Sequence, residues 1–372
     1  MKKSIKAYFF SCLFLLGCAV AHAEVSRAQE GFVNLDLARQ RQIDPNERDN
    51  CTLCKASEED PFGEVTAGPN SNNLTERGIE LYADLLFWHA SEEPSSFVAN
   101  TEKAKPRQRF VFEVNEMKFD WDVGVRGGLG YELPCNLWDT QLYWTWYETD
   151  ATTRLHQRPN EDIDSEFFAG FMTEFIKEDQ ILSGRVNWNI FYSIGDWELG
   201  RKFAVGHSLI LRPFIGIKGG VINQTIHATW NSATKAPVTY FSGKEKVENN
   251  FRGIGPSFGL DTTWKFVSID KHTLSAFGNG SLATLYGSWE LKDSYRDPRP
   301  QEMKIHMDRQ QFGELMLRCF AGLGWDYSRF SAKLGYEMQV WFSQLRLTAF
   351  QQLILHGDLI LQGMTLECRM NF

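Results

Sequence analysis

The sequence predicts an all-β fold: a transmembrane, antiparallel, up-and-down β-barrel of about 10–12 strands, with long outer loops and short periplasmic turns. Three observations predict it. From Gly78 onward, apolar residues recur at every second position in ten stretches. The connections between these stretches alternate between short and long. The final stretch, GMTLECRMNF, is amphipathic and closes on Phe372.

The chain of 372 residues begins MKKSIKAYFFSCLFLLGCAVAHAEV. Lys2, Lys3 and Lys6 form a basic start, Tyr8 to Val20 an apolar run, and Ala21-His22-Ala23 a small-residue cleavage site. Residues 1–23 therefore read as a secretory signal peptide. A rival reading takes Leu15-Leu16-Gly17-Cys18 as a lipoprotein box with Cys18 lipidated. Removal of 23 residues takes three lysines away and moves the net charge from −8 to −11. That acidity argues against nucleic acid as a partner. Residues 24–77 are polar and without a period, which predicts a flexible periplasmic segment before a barrel over 78–372.

The ten strand-like stretches lie at about 78–90, 116–133, 138–149, 184–199, 208–230, 249–265, 273–291, 312–325, 330–342 and 359–372. In the second, KFDWDVGVRGGLGYEL, Phe119, Trp121, Val123 and Val125 alternate with Asp120, Asp122, Gly124 and Arg126. In the fourth, Val186, Trp188, Ile190, Tyr192 and Ile194 oppose Arg185, Asn187, Asn189 and Ser193. The seventh has apolar residues on both parities. A soluble β-sandwich also alternates. Its strands are shorter, however, and its polar face rarely carries so many charges and glycines. In a bilayer every backbone group needs an internal partner, so the sheet closes and its apolar face turns to lipid. On that reading Phe119, Trp121, Val123 and Val125 touch lipid, and the apolar parity of the other strands, Val186–Ile194 among them, turns outward with them. Gly124, Gly128 and Gly130 let the sheet bend or let large luminal side chains cross it. Trp138, Trp264, Trp325 and Tyr327 near the short turns fit a membrane–water interface.

The polar parity then lines the lumen. Its candidates are Asp84, Asp120, Asp122, Asp261, Glu337 and Glu367 against Arg126, Arg185, Arg212, Lys218, Lys333 and Arg369. Opposed charges either pair and fill a small barrel or line a narrow aqueous path. The long connections 91–115, 150–183, 231–248, 292–311 and 343–358 are read as charged outer loops.

Five cysteines follow the signal segment. Cys51 and Cys54 have C-x-x-C spacing but lack the further ligands a zinc site needs. With Cys135 in a short turn, they are candidates for a disulfide or an intermolecular cross-link. Cys319 and Cys368 share parity with apolar neighbours and read as inert. No catalytic motif or cofactor loop is present; His89 and His156 near outer strand ends read as loop histidines, and GIGPSFG reads as strand.

The stretches GIELYADLLFWHASEE, FDWDVGVRGGLGYELP, ELGRKFAVGHSLILRPFIGIKGG, FRGIGPSFGLDTTW and GDLILQGMTLECRMNF resemble the Legionella-type major outer-membrane protein family, expanded in Chlamydia-related bacteria as MOMP-like porins. The terminal Phe372 resembles the signal read by the barrel assembly machinery. The resemblance implies a bacterial outer-membrane location and a pore-forming, non-enzymatic barrel without cofactors. The expected function is passive diffusion of ions and small hydrophilic solutes. The alternative is a surface adhesin, or a structural envelope protein disulfide-linked to its neighbours, built on a closed barrel. Expected partners are outer-membrane lipid, the assembly machinery, small solutes or ions, and other envelope proteins.

Overall fold

The computed structural model describes residues 78–93, 96–104, 109–133, 138–156, 161–165, 179–205, 208–234, 239–269, 271–296, 302–349 and 352–372. The ten long strands are β1 (Ile79–Glu93), β4 (Trp121–Glu132), β5 (Trp138–His156), β7 (Asp179–Arg201), β9 (Leu209–Thr234), β10 (Tyr240–Ile269), β11 (His272–Arg296), β12 (Glu302–Tyr327), β13 (Phe330–Ala349) and β14 (Gln352–Asn371). Each pairs antiparallel with its sequential neighbour among the ten, and β1 pairs β14, so the ring closes. Phe372 seals that junction by donating its backbone N–H to the Ile79 carbonyl at 3.0 Å. A short β8 (Phe203–Val205) folds back on the start of β9. Outside the barrel, β2 (Ser96–Ala104) pairs with β3 (Arg109–Glu116) and β6 (Glu161–Ser165). No helix long and apolar enough to cross a membrane occurs among the described residues.

Three of the expected long outer loops are not loops. β9–β10, β11–β12 and β13–β14 run on as hairpins well past their expected ends, to Thr234/Tyr240, Arg296/Glu302 and Ala349/Gln352. Along β9, β10 and β11 the charged residues still alternate with buried ones, and that alternation is what a strand facing water requires.

Along most strands the apolar face changes sides. Near the short turns, apolar side chains point outward: Ile79, Leu81, Leu85 and Phe87 on β1, Leu142, Trp144 and Trp146 on β5, Ile215 and Ile217 on β9. Their neighbours inside are Glu80, Asp84, Asp139, Gln141, Arg212 and Lys218, all buried. Toward the other end the outward positions become Glu148, Asp150 and Arg154 on β5, or His227 and Thr229 on β9, all exposed. There the inward positions become Trp88, Tyr147, Trp188, Tyr192, Ile222, Ile226 and Trp230. One half is thus a membrane barrel, apolar outside and polar within. The other is a water-facing β-structure with an apolar core.

Several sequence expectations are corrected by this switch. Val186, Trp188, Ile190, Tyr192 and Ile194 face inward and are buried rather than touching lipid. Phe119 is also buried, its ring 5.5 Å from that of Trp188. Trp121, Val123 and Val125 do face outward. Two glycines of β4 make room for rings, since a Cβ on Gly130 would meet the Tyr82 ring and one on Gly124 that of Tyr147.

Candidate functional site: the lumen

The inward side chains of the membrane half form an ion-pair network. Its centre is Glu337 on β13, fully buried. Arg126 on β4 donates to it through both terminal nitrogens, at 3.2 and 2.8 Å, and Arg318 on β12 through Nε at 2.7 Å. Gln339 (2.9 Å) and Thr365 (3.1 Å) donate as well. Arg126 also donates to Asp84 at 3.1 Å and to Thr145 at 2.9 Å. A second knot surrounds Arg212 on β9, which donates to Asp139, Glu198 (3.0 Å) and Asp261 (2.7 Å). Glu198 accepts from the Tyr143 hydroxyl, Asp261 accepts from Asn279, and Lys218 pairs with Asp196. Nearer the short turns, Glu367 takes both Arg369 and Lys333. A guanidinium supplies its donors in a fixed planar fork, so each arginine ties several carboxylates into one arrangement.

Among the described residues, two hydrogen bonds join strands on opposite walls of the lumen. Arg318 on β12 donates to the Tyr143 hydroxyl of β5 at 3.3 Å. Tyr192 on β7 donates to Gln339 Oε1 of β13 at 2.8 Å. Each pair of strands stands five places apart in a ring of ten, so these contacts join opposite walls. Above them lies the apolar core, in which Trp88, Trp188 and Trp341 are 0% exposed. Tyr192 and Phe251 stack edge-on against Trp341 at 6.0 and 6.2 Å. Within the network lies a cavity of about 200 Å³, lined by residues that include Tyr82, Arg126, Tyr143, Arg212, Arg318 and Arg369. It reaches Lys202, Ile210 and Thr263, close to the short turns.

The structure places ten of the twelve expected lumen residues inside the barrel. Asp84, Arg126, Arg212, Lys218, Asp261, Lys333, Glu337, Glu367 and Arg369 join the network or border the cavity. Asp122 points inward higher up and accepts from Thr149 at 2.6 Å. Two expectations are corrected. Arg185 lies on the exposed outer face of β7, because β7 is past the switch there. Asp120 precedes β4 and is exposed, in a segment that instead buries Met117 and Phe119. Cys51, Cys54 and Cys135 fall outside the described residues, whereas Cys319 and Cys368 are free, half-buried thiols.

Sequence reading missed Asp139, Asp196, Glu198, Arg318 and Gln339. Parity alone could have found Arg318, flanked by Leu317 and Cys319, and Asp139, beside Trp138. It also missed Glu92, buried in the outer core and accepting from the Gln224 amide at 3.4 Å. Burial, with some help from Asp358, pushes the Glu92 carboxyl up to about 8 against the pull of that amide. Among the described residues, one trio on β11 and β12, the half-buried Glu290 with the exposed His306 and Asp308, has the spacing to hold a cation. Lys292 already sits on Glu290 at 2.6 Å.

A family model described as the Legionella pneumophila major outer membrane protein precursor matches residues 74–372. No curated protein matches the sequence. Among solved structures, the outer membrane protease OmpT from Escherichia coli is similar at 8% identity, covering 79% of this chain and 97% of its own, with a TM-score of 0.45. The Pseudomonas putida toluene transporter TodX covers 83% of this chain and 93% of its own at 8% identity and a TM-score of 0.28. A Pseudomonas aeruginosa FadL homologue covers 80% and 90% at 11% identity and a TM-score of 0.24.

Proposed function

The chain belongs to the Legionella pneumophila major outer membrane protein family, and from that premise we propose that this outer-membrane barrel serves as a sealed surface scaffold, its lumen passing no solute at rest. The observation that carries this reading is the pair of hydrogen bonds joining opposite walls, Arg318 to Tyr143 and Tyr192 to Gln339. Solute in transit would have to break both and then displace the Trp88–Trp188–Trp341 layer above. Barrels of about eight strands are already filled by side chains, and here ten strands enclose arginines and tryptophans, the bulkiest available. What remains for function is the outward surface, including hairpins that rise beyond the apolar band. Envelope support and surface contact both fit such a body.

A second reading is passive diffusion of ions and small hydrophilic solutes. The cavity and its charged lining favour it. On that reading the cross-lumen contacts part to open a path, and the network sets ion preference.

Planar-bilayer recording of the refolded full-length barrel separates the two. The sealed reading predicts an inserted, folded and silent protein, and it predicts that Tyr192→Ala combined with Trp341→Ala opens measurable steps. Discrete steps in the unaltered protein, changing in selectivity with Arg126→Gln, would reject the seal and establish the pore.

A further inference from the structure

The outward face of the water-facing half separates its charges into bands. Pairing register fixes the order. Arg154 of β5 stands directly opposite Arg185 of β7, Arg185 opposite Thr229 of β9, and Thr229 opposite Lys244 of β10. Lys244 in turn stands opposite Arg296 of β11, and the row ends at Glu302 of β12. Arg154, Arg185, Lys244 and Arg296 are all exposed. The next outward row runs Thr152, Asn187, His227, Lys246, Ser294, Lys304, with Lys246 also paired to Glu248 in the row below. These two rows contain six lysines and arginines and one carboxylate. The two rows below them hold Asp150, Glu248, Glu148, Glu290 and Asp308, with Lys292 as their one cation.

This separation is opposed by ordinary stability. Like charges directly opposite on neighbouring strands destabilise a sheet, yet Arg154 stands directly opposite Arg185. Exposed surfaces usually intersperse signs, and this chain is acidic overall, at −8. An anionic ligand lying across the rows would remove the repulsion.

Height indicates what that ligand is. Lys244 stands ten residues beyond Ile254, where the outward aliphatic run of β10 ends before the exposed Tyr240 at the hairpin tip, and Arg154 eight beyond Trp146 on β5. At ~3.3 Å per residue and a tilt of ~40°, this is roughly 20–25 Å above the apolar band. A phospholipid headgroup lies lower, whereas the sugar layer of the outer leaflet's glycolipid reaches that level. Strands ~4.8 Å apart give the cations a spacing comparable to one sugar unit.

We propose that the basic rows through Arg154, Arg185, Lys244 and Lys246 bind the phosphorylated core saccharide of the glycolipid surrounding the barrel. Arg154 and Arg185 offer planar donor forks and Lys244 and Lys246 point charges, so recognition is by phosphate and spacing. The proposal is independent of whether the lumen conducts.

The test is calorimetric titration of the detergent-refolded full chain with core oligosaccharide released from lipopolysaccharide, phosphates intact, beside the same material chemically dephosphorylated. The intact form is expected to bind, with affinity falling as salt rises, and the dephosphorylated form to fail. Arg185→Glu with Lys244→Glu is expected to weaken binding at least about tenfold, whereas Arg185→Lys with Lys244→Arg retains it. Both substitutions are in solvent, and unchanged circular dichroism and gel mobility will certify folding. A second reversed pair, Arg154→Glu with Lys246→Glu, repeats the test should the first misfold. Equal binding of the dephosphorylated saccharide, indifference to charge reversal, or no binding at all would overturn the proposal.

Discussion

Glu337 and Glu92 are both glutamates buried inside one barrel, and their surroundings impose opposite chemistry. Glu337 accepts from two guanidiniums, an amide and a hydroxyl, so its negative charge is compensated where it stands. Removing either partner of such a buried pair strands the other, which makes Glu337 a fixed point of the lumen. Glu92 has only the Gln224 amide, and burial favours its neutral form, with a pKa of about 8. Asp293, in the same outer half, is likewise raised by burial to about 7. The sign follows from linkage. A carboxyl whose folded pKa lies above its unfolded one contributes stability that is complete below the unfolded value, near 4.5 for Glu92, and is lost as pH rises through 8. Thermal unfolding between pH 5 and 9 should therefore show the outer half losing stability as pH rises. Glu92→Gln with Asp293→Asn should flatten that dependence. A profile that keeps its slope in the double variant would mean that other groups control it. Neither residue was legible in advance, since a lone carboxylate in an alternating strand looks solvated until its strand partners are known.

A strand carries two faces, and most strands here use both as apolar surface at different heights. On β9 the outward Ile215 and Ile217 give way to Thr225 and His227 as the inward Lys218 gives way to Ile222 and Ile226. Period two was legible throughout, and it placed all ten strands. Phase was not legible, because alternation states that two faces differ without saying which is outside. Where lipid bathes the strand, the apolar set is out; where water does, the same set is in. The stretch at 273–291, apolar on both parities, was the trace of this reversal. It places Leu274 and Leu282 outward and Leu285, Trp289 and Leu291 inward. The switch makes a prediction at this scale. Ile215→Lys, in the apolar band, should destabilise the barrel by about 2–4 kcal/mol, falling toward the interfaces. Thr225→Lys on the same strand should stay within about 0.5 kcal/mol, as for a solvated surface site. Urea unfolding in lipid vesicles measures both, and equal penalties would show that the bilayer reaches past the proposed boundary.

Across the whole molecule, closure belongs to the membrane half alone. The β12–β13 ladder runs from Tyr327–Phe330 to Met316–Trp341 and stops, although β12 extends back to Glu302 and β13 on to Ala349. Both strands turn left-handed there, at Gly313 (φ 100°) and Ser343 (φ 55°), and the Ser343 N–H donates to Asp358 at 2.8 Å instead of to a strand. On the other side, β4 leaves β5 at Val125–Trp146, while β5 continues to His156 against β7. The outer half is therefore two sheets, β5-β7-β9-β10-β11-β12 and β13-β14-β1, joined by their shared aromatic core and by side-chain hydrogen bonds such as Gln224 to Glu92 and Asn249 to the Gln344 carbonyl, rather than by a backbone ladder. No local pattern announces where a ladder ends, so this division was not legible in the sequence. It separates the two halves energetically. In lipid an open edge is prohibitive, because its backbone groups have no alternative partner; in water the edge is tolerated and the sheets are free to part. Hydrogen exchange on the refolded barrel should find the amides of residues 317–327 and 330–340 slow. Seam-facing amides of residues 302–313 and 344–349 should exchange at least about tenfold faster, through local opening that leaves the membrane ring intact. Equal protection on both sides of Met316 and Trp341 would mean that the outer half is closed as tightly as the inner, and the two-sheet description would fail. Protection that collapses together in both halves as denaturant rises would make the barrel a single cooperative unit and would remove the outer half as an independently yielding element.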